Sequence, residues 1–162
     1  MINIPEKWQE ELDKEFPKIK DRFWRTGESQ PMHCACNGGW YELLRSAFTE
    51  LSNLPVDLIQ FDQIKEKFGG LRLYVHTSNL PLELVDSVED ICAKYERASY
   101  HVCEFCGSKD PDVELYTGGW LHTMCPKCAA EKGRTKTLRQ KEKEDGCDLD
   151  SPFLLSRQIT GE

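Results

Sequence analysis

The chain has 162 residues, with 21 Lys+Arg against 28 Asp+Glu and a formal net charge of -7. That length suits one domain with appendages, and the modest apolar content of 39% implies that part of the chain is solvated rather than core. No apolar run approaches the roughly 20 residues that cross a bilayer, residues 1–16 lack the apolar stretch of a secretory signal, and the acidic balance opposes wholesale phosphate-backbone binding, so a cytoplasmic protein is expected.

Residues 5–25 read as helical, with Trp8, Leu12, Phe16, Ile19 and Phe23 spaced by three or four and Pro17 imposing a kink or a split into two short helices. Residues 26–38 read as loop. They hold His33, Cys34 and Cys36, a C-x-C with a neighbouring histidine that would be part of a second metal site if partners came from elsewhere. A second helix spans about 39–53, where Trp40, Leu43, Leu44, Ala47, Phe48 and Leu51 form one apolar face, and Asn53-Leu54-Pro55 ends it.

Two alternating runs, about 56–67 and 71–76, flank Gly69-Gly70 and predict a β-hairpin. With the two glycines as the turn, Lys67 faces Arg72, Lys65 faces Tyr74 and Ile64 faces Val75. One face then carries Ile64, Glu66, Phe68, Leu71, Leu73 and Val75, and the other carries Gln63, Lys65, Lys67, Arg72, Tyr74 and His76. Like charges on one sheet face are unfavourable unless something neutralises them. Either Asp62 or an acidic residue from another element does so, or solvent screens the strip, or Lys65, Lys67 and Arg72 bind a phosphate or carboxylate, with Tyr74 or Trp40 stacking on a ring.

The third helix, about 81–98, buries Leu84, Val85, Val88, Ile91, Cys92 and Tyr95 and turns Glu83, Asp86, Glu89, Asp90 and Glu96 outward as a solvated face. Cys103-Glu-Phe-Cys106 and Cys125-Pro-Lys-Cys128 then form two C-x2-C pairs separated by 18 residues. That spacing predicts four thiolates on one Zn2+ ion. Gly107, after the first pair, suits a turn needing positive φ. Between the pairs, Gly118-Gly119 divides two short strands, and residues 125–133 read as a short helix. Knuckle, hairpin and cysteines at a helix start is the order of a treble-clef finger, with a zinc ribbon as the alternative. Residues 131–162 balance at 7 basic and 7 acidic side chains. They read as a helix near 135–144 and a tail in which only Phe153, Leu154 and Leu155 are suited to docking; Cys147 has no evident role.

The chain therefore reads as an N-terminal helical arm (1–30), an α+β core (31–100), a zinc-binding module (101–130) and a charged C-terminal tail (131–162). Its fold class is α+β, a small antiparallel hairpin sheet packed with helices plus the four-cysteine module. Four thiolates close the zinc shell and leave no position for water or substrate, so the zinc is structural and its chelation is expected to weaken the C-terminal half. No G-x-S-x-G, HExxH or P-loop pattern occurs. A non-enzymatic binding protein is expected, its partner a small phosphorylated ligand at the strip or a macromolecule at the finger. Residues 101–130 carry only Lys109 and Lys127 against Glu104, Asp110, Asp112 and Glu114, which disfavours nucleic acid there. The glycine-flanked aromatics Trp40, Tyr41, Tyr116 and Trp120 either pack over turns or line a pocket.

The segments Gly39-Trp40-Tyr41-Glu42-Leu43-Leu44 and Ile64-Lys-Glu-Lys-Phe-Gly-Gly-Leu-Arg-Leu-Tyr74, followed by Ser99, Cys103-x2-Cys106-Gly107, Gly119-Trp120 and Cys125-x2-Cys128, resemble a family of small phage and prophage zinc-finger proteins. The resemblance covers about residues 15–130, and KEKFGGLR is its most specific string. The last pair departs from the family, in which a histidine often stands there. The resemblance implies an origin rather than an activity. An accessory protein of that origin with an anion-binding strip would serve in counter-defence, sequestering a nucleotide-derived signal or binding a host protein.

Overall fold

The structure, a computed structural model, describes residues 2–144, with side chains as far as residue 141. The expectations for Cys147, Phe153, Leu154 and Leu155 lie outside the described residues. Helix α1 (Trp8–Glu15) buries Leu12 and stops at Phe16, because Pro17 cannot continue it. The helical reading fails beyond this point. Residues 19–22 form strand β1 (Ile19–Arg22), with Ile19 and Asp21 buried and Lys20 and Arg22 less so. A period of two replaces the helical period because β1 pairs in parallel with the central strand β4 (Ile59–Lys67), Ile19 opposite Ile59 and Asp21 opposite Phe61. Leu12, Phe16 and Ile19, expected in an N-terminal arm, belong to the main core.

Two short strands complete one side of the sheet. Strand β2 (Ser29–Gln30) runs antiparallel to β1, and β3 (Cys34–Ala35) lies parallel to β4 with Cys34 opposite Ile64. The sheet is therefore mixed, not the antiparallel hairpin alone. A 3-10 turn at Gly38–Trp40 leads into α2 (Tyr41–Ser52), which buries Leu44, Ala47, Phe48 and Leu51 as its apolar face predicts. Phe48 meets Phe16 and Phe61 with ring centroids 5.7 and 6.0 Å apart.

The hairpin of β4 and β5 (Gly70–Val75) is present, but its turn is Phe68-Gly69. Both take left-handed conformations, φ 55° and 80°, the pairing a two-residue hairpin turn requires. Lys67 pairs with Gly70, Lys65 with Arg72 and Ile64 with Leu73. Relative to the expected register these partners move by two positions, so the paired side chains keep their faces, but Phe68 leaves the core face assigned to it for the turn and is largely exposed. Gly70 serves a different purpose from turning: a Cβ there would overlap the Tyr100 phenol. Glu66 secures the turn by accepting from the Gly69 N–H at 2.7 Å.

Helix α3 (Leu82–Ser99) closes the free edge of β5. Ser99 Oγ accepts from Leu71 N–H at 2.9 Å and Glu96 Oε1 accepts from Leu73 N–H at 2.8 Å. An edge strand's unpaired donors are thereby satisfied by side chains rather than by another strand. Glu96 consequently leaves the solvated acidic face assigned to it, while Val88 and Cys92 are buried as expected.

After α3 the chain enters the four-cysteine module. It comprises a knuckle at 103–107, a hairpin of β6 (Glu114–Tyr116) and β7 (His122–Met124), and α4 (Pro126–Glu131). Residues 134–137 then run beside the hairpin. Arg134 donates to the Thr117 and Gly118 carbonyls, Thr117 N–H donates to Lys136 O, and Thr137 bridges Tyr116. Helix α5 (Leu138–Glu144) follows. No helix among the described residues is long and apolar enough to cross a membrane.

Candidate metal centre and the groove beside it

Cys103 and Cys106 sit on a tight knuckle. Cys103 N–H donates to Ser108 O at 2.8 Å, Gly107 N–H donates to Cys103 O at 2.9 Å, and Gly107 takes φ 75° as its position requires. Cys125 caps α4, its sulfur accepting from the Cys128 N–H at 3.5 Å, with Pro126 at the first helical position. The four Sγ atoms lie within 4.8 Å of one another, Cys106 and Cys125 at 3.6 Å. A tetrahedral ion with arms of about 2.3 Å needs sulfurs about 3.8 Å apart, so the donor set fits a four-coordinate metal.

Burial pushes the Cys106 and Cys128 thiols up. At Cys125 burial acts the same way, but the Cys128 N–H and the neighbouring sulfurs outweigh it and hold its pKa below the ordinary thiol value. His33, Cys34 and Cys36 add no second cluster: among the described residues the metal-competent group is these four cysteines. Cys34 is buried in the main core and His33 is exposed; burial raises both Cys34 and Cys36, the latter to about 12.

The knuckle is fastened to the body by a residue that spacing did not single out. Glu104 is 1% exposed, yet it carries a carboxylate. It accepts from Asn37 Nδ2 at 2.7 Å and lies 2.7 Å from His122 Nδ1, while its backbone bonds Gly39 N–H and Thr123 O at 2.8 and 3.0 Å. His122 therefore turns to Glu104 and not to the sulfurs. A charged residue inside C-x2-C reads as solvated, and nothing local in the sequence distinguishes this one. Trp40 is a correction: it lies in the core with its indole N–H on Val102 O at 3.0 Å, so it cannot stack on a ligand.

The predicted strip survives in altered form. Asp62 pairs with Arg22 and His76 and leaves the lysines alone. Arg72 is engaged by the Tyr100 hydroxyl and the Leu71 carbonyl at 3.0 and 2.9 Å. Tyr74 is partly exposed, with Lys65 Nζ 5.7 Å from its ring centroid. Among the described residues neither Lys65 nor Lys67 has an ion pair, and Lys67 Nζ stands 5.4 Å from the Phe68 ring. The concavity lies at the hairpin tip, where Lys65, Glu66, Lys67 and Phe68 face Gly119, Trp120 and Leu121 across about 510 Å³. Phe68 is 63% and Trp120 66% exposed. The Trp120 indole N–H donates to Glu66, fixing its ring at the wall of this groove. A broader hollow of about 950 Å³ borders Cys106, Cys125 and Cys128, but Lys109 and Lys127 face Asp110, Asp112 and Glu131 there, a poor setting for an anion.

No family model matches the chain, and no curated protein or solved structure matches it.

Proposed function

We propose that this is a non-enzymatic binding protein in which a treble-clef-like finger holds one structural zinc, and that its ligand is a small phosphorylated molecule with a planar ring. The observation that carries this reading is the groove at the hairpin tip, lined by two lysines that have no ion pair among the described residues and by two largely exposed aromatic rings. A phosphate supplies the anion for Lys65 and Lys67, and a base supplies a face for Trp120 or Phe68. Zinc is the metal because a closed four-cysteine shell is its structural habit, and such a shell binds and activates no substrate. In a phage-type setting the role that follows is counter-defence by sequestering a nucleotide-derived signal.

The experiment is isothermal titration of the zinc-loaded full chain with cyclic dinucleotides and ADP-ribose. Saturable heat is expected from at least one, lost on Lys65→Ala together with Lys67→Ala. An intact fold that gives no heat with any of these probes overturns the reading.

A further inference from the structure

The groove has one wall on the body and one on the metal module, and the two walls differ in how they are held. Among the described residues the body core has nineteen buried apolar side chains, including Trp40, Phe48 and Phe61. The module core has seven, and three of these are the ligands Cys103, Cys125 and Cys128. A core that small does not sustain a fold unaided; a bound metal supplies the remainder. The contacts that set the second wall against the first all issue from the module hairpin. Thr123 Oγ1 donates to Gly69 O at 2.7 Å in a buried position, the Trp120 indole reaches Glu66, and Leu115 covers Gly69 so closely that a Cβ there would overlap it. Thr123 lies two residues before Cys125, and its carbonyl accepts from Glu104, which lies between Cys103 and Cys106. Through Thr123, near the end of β7, the hairpin is thus tied to both cysteine pairs.

We infer that the hairpin-tip groove is gated by the metal: its Trp120 wall stands against Lys65, Lys67 and Phe68 only while the four cysteines hold their ion. The four thiolates position Thr123, Thr123 positions Gly69, and Trp120 follows. Ligand gating rests on the groove being the binding site; the assembly of the groove does not.

Hydrogen exchange of the full chain under reducing conditions, with zinc bound and after chelation, tests this. Chelation is expected to speed exchange at least tenfold over residues 66–70 and 114–124 while α2 stays protected, and to abolish the heat of ADP-ribose binding where the zinc-loaded chain shows it. A second arm uses Thr123→Val, which keeps all four thiolates. It should retain one zinc per chain and still show faster exchange at 66–70. Unchanged exchange at 66–70 in either arm overturns the inference. So does loss of α2 protection on chelation, because the metal would then support the whole fold, and so does equal ADP-ribose binding with and without zinc. A zinc-loaded chain that shows the exchange pattern but binds no probe defeats the assigned ligand class and leaves the gate standing.

Discussion

The Glu104 carboxylate lies 2.7 Å from the His122 ring, linking the residue between two cysteines of the candidate metal centre to the strand that leads to the other two. Glu104→Ala leaves the half-buried His122 ring and the exposed Asn37 amide without this acceptor and should cost about 2 kcal/mol, most of it from His122 because Asn37 can turn to water. Glu104→Gln keeps one acceptor oxygen and should cost roughly half as much. Urea denaturation of the zinc-loaded forms measures both, and equal losses would show that the negative charge, which both variants remove, governs the site rather than the retained acceptor oxygen.

Much of this arrangement was legible beforehand, and the misses share a cause. Thiolate spacing, the apolar face of α2 and the stripe of α3 are local patterns, and local geometry honours them. The misread positions are ones whose partners lie far along the chain. Ile19 and Asp21 alternate because β4 lies alongside, which no spacing within 5–25 reveals. Gly69-Gly70 signalled a turn correctly but misplaced it by one residue, since Gly70 is small for the sake of Tyr100. Trp40 and Glu104 both turn inward, the aromatic to Val102, in keeping with the apolar face of 39–53 rather than with ligand stacking, and the carboxylate to His122. The resembling segments GGW, FGG and GGW all fall at the junction of body and module, where close backbone approach rather than ligand contact accounts for Gly39 and Gly69.

Gly39 offers a direct check of that junction. Its N–H donates to Glu104 O at 2.8 Å, and a Cβ would overlap the Cys103 carbonyl and the Glu104 backbone, neither of which can swing aside as a flexible side chain does. Gly39→Ala should destabilise the chain by more than about 2 kcal/mol and weaken zinc retention in a competition with a chromogenic chelator. Gly133→Ala is the control: nothing lies within 4 Å of its added methyl, although its φ of 66° leaves a modest strain. If the two variants keep zinc equally well, the knuckle does not depend on contact with the 38–40 turn.

Asp21 gives the fold a predictable response to pH. It is buried with Oδ1 lacking a hydrogen-bond partner, and Oδ2 accepts from His33 N–H at 2.9 Å. Burial raises its carboxyl from 3.8 to about 6 against that hydrogen bond. Between those values the folded chain holds a proton that the unfolded chain has released, so this group adds stability as pH falls from 7 towards 4 and withdraws it as pH rises through 6. The swing is of order 2–3 kcal/mol. Asp21→Asn should remove it, so the stability difference between variant and parent, measured in urea at pH 4.5 and 7.5, should favour the variant only at the higher pH. A difference that stays constant across the range would place the titration elsewhere.

Phe68 separates stability from binding. A non-glycine residue at φ 55° carries a left-handed strain of about 1–2 kcal/mol, and most of this ring stands in solvent, so burial offsets little of it. Asparagine tolerates the same conformation through its own backbone hydrogen bonding. Phe68→Asn should therefore raise the urea midpoint, by about 1 kcal/mol in stability with an unchanged denaturant slope. It should also weaken ADP-ribose binding where the parent shows it, because one of the two exposed rings of the groove is gone. Strain retained at an exposed aromatic makes sense at a site that uses the ring. A variant that gains stability and binds as well as the parent would assign recognition to Trp120 and the lysines alone.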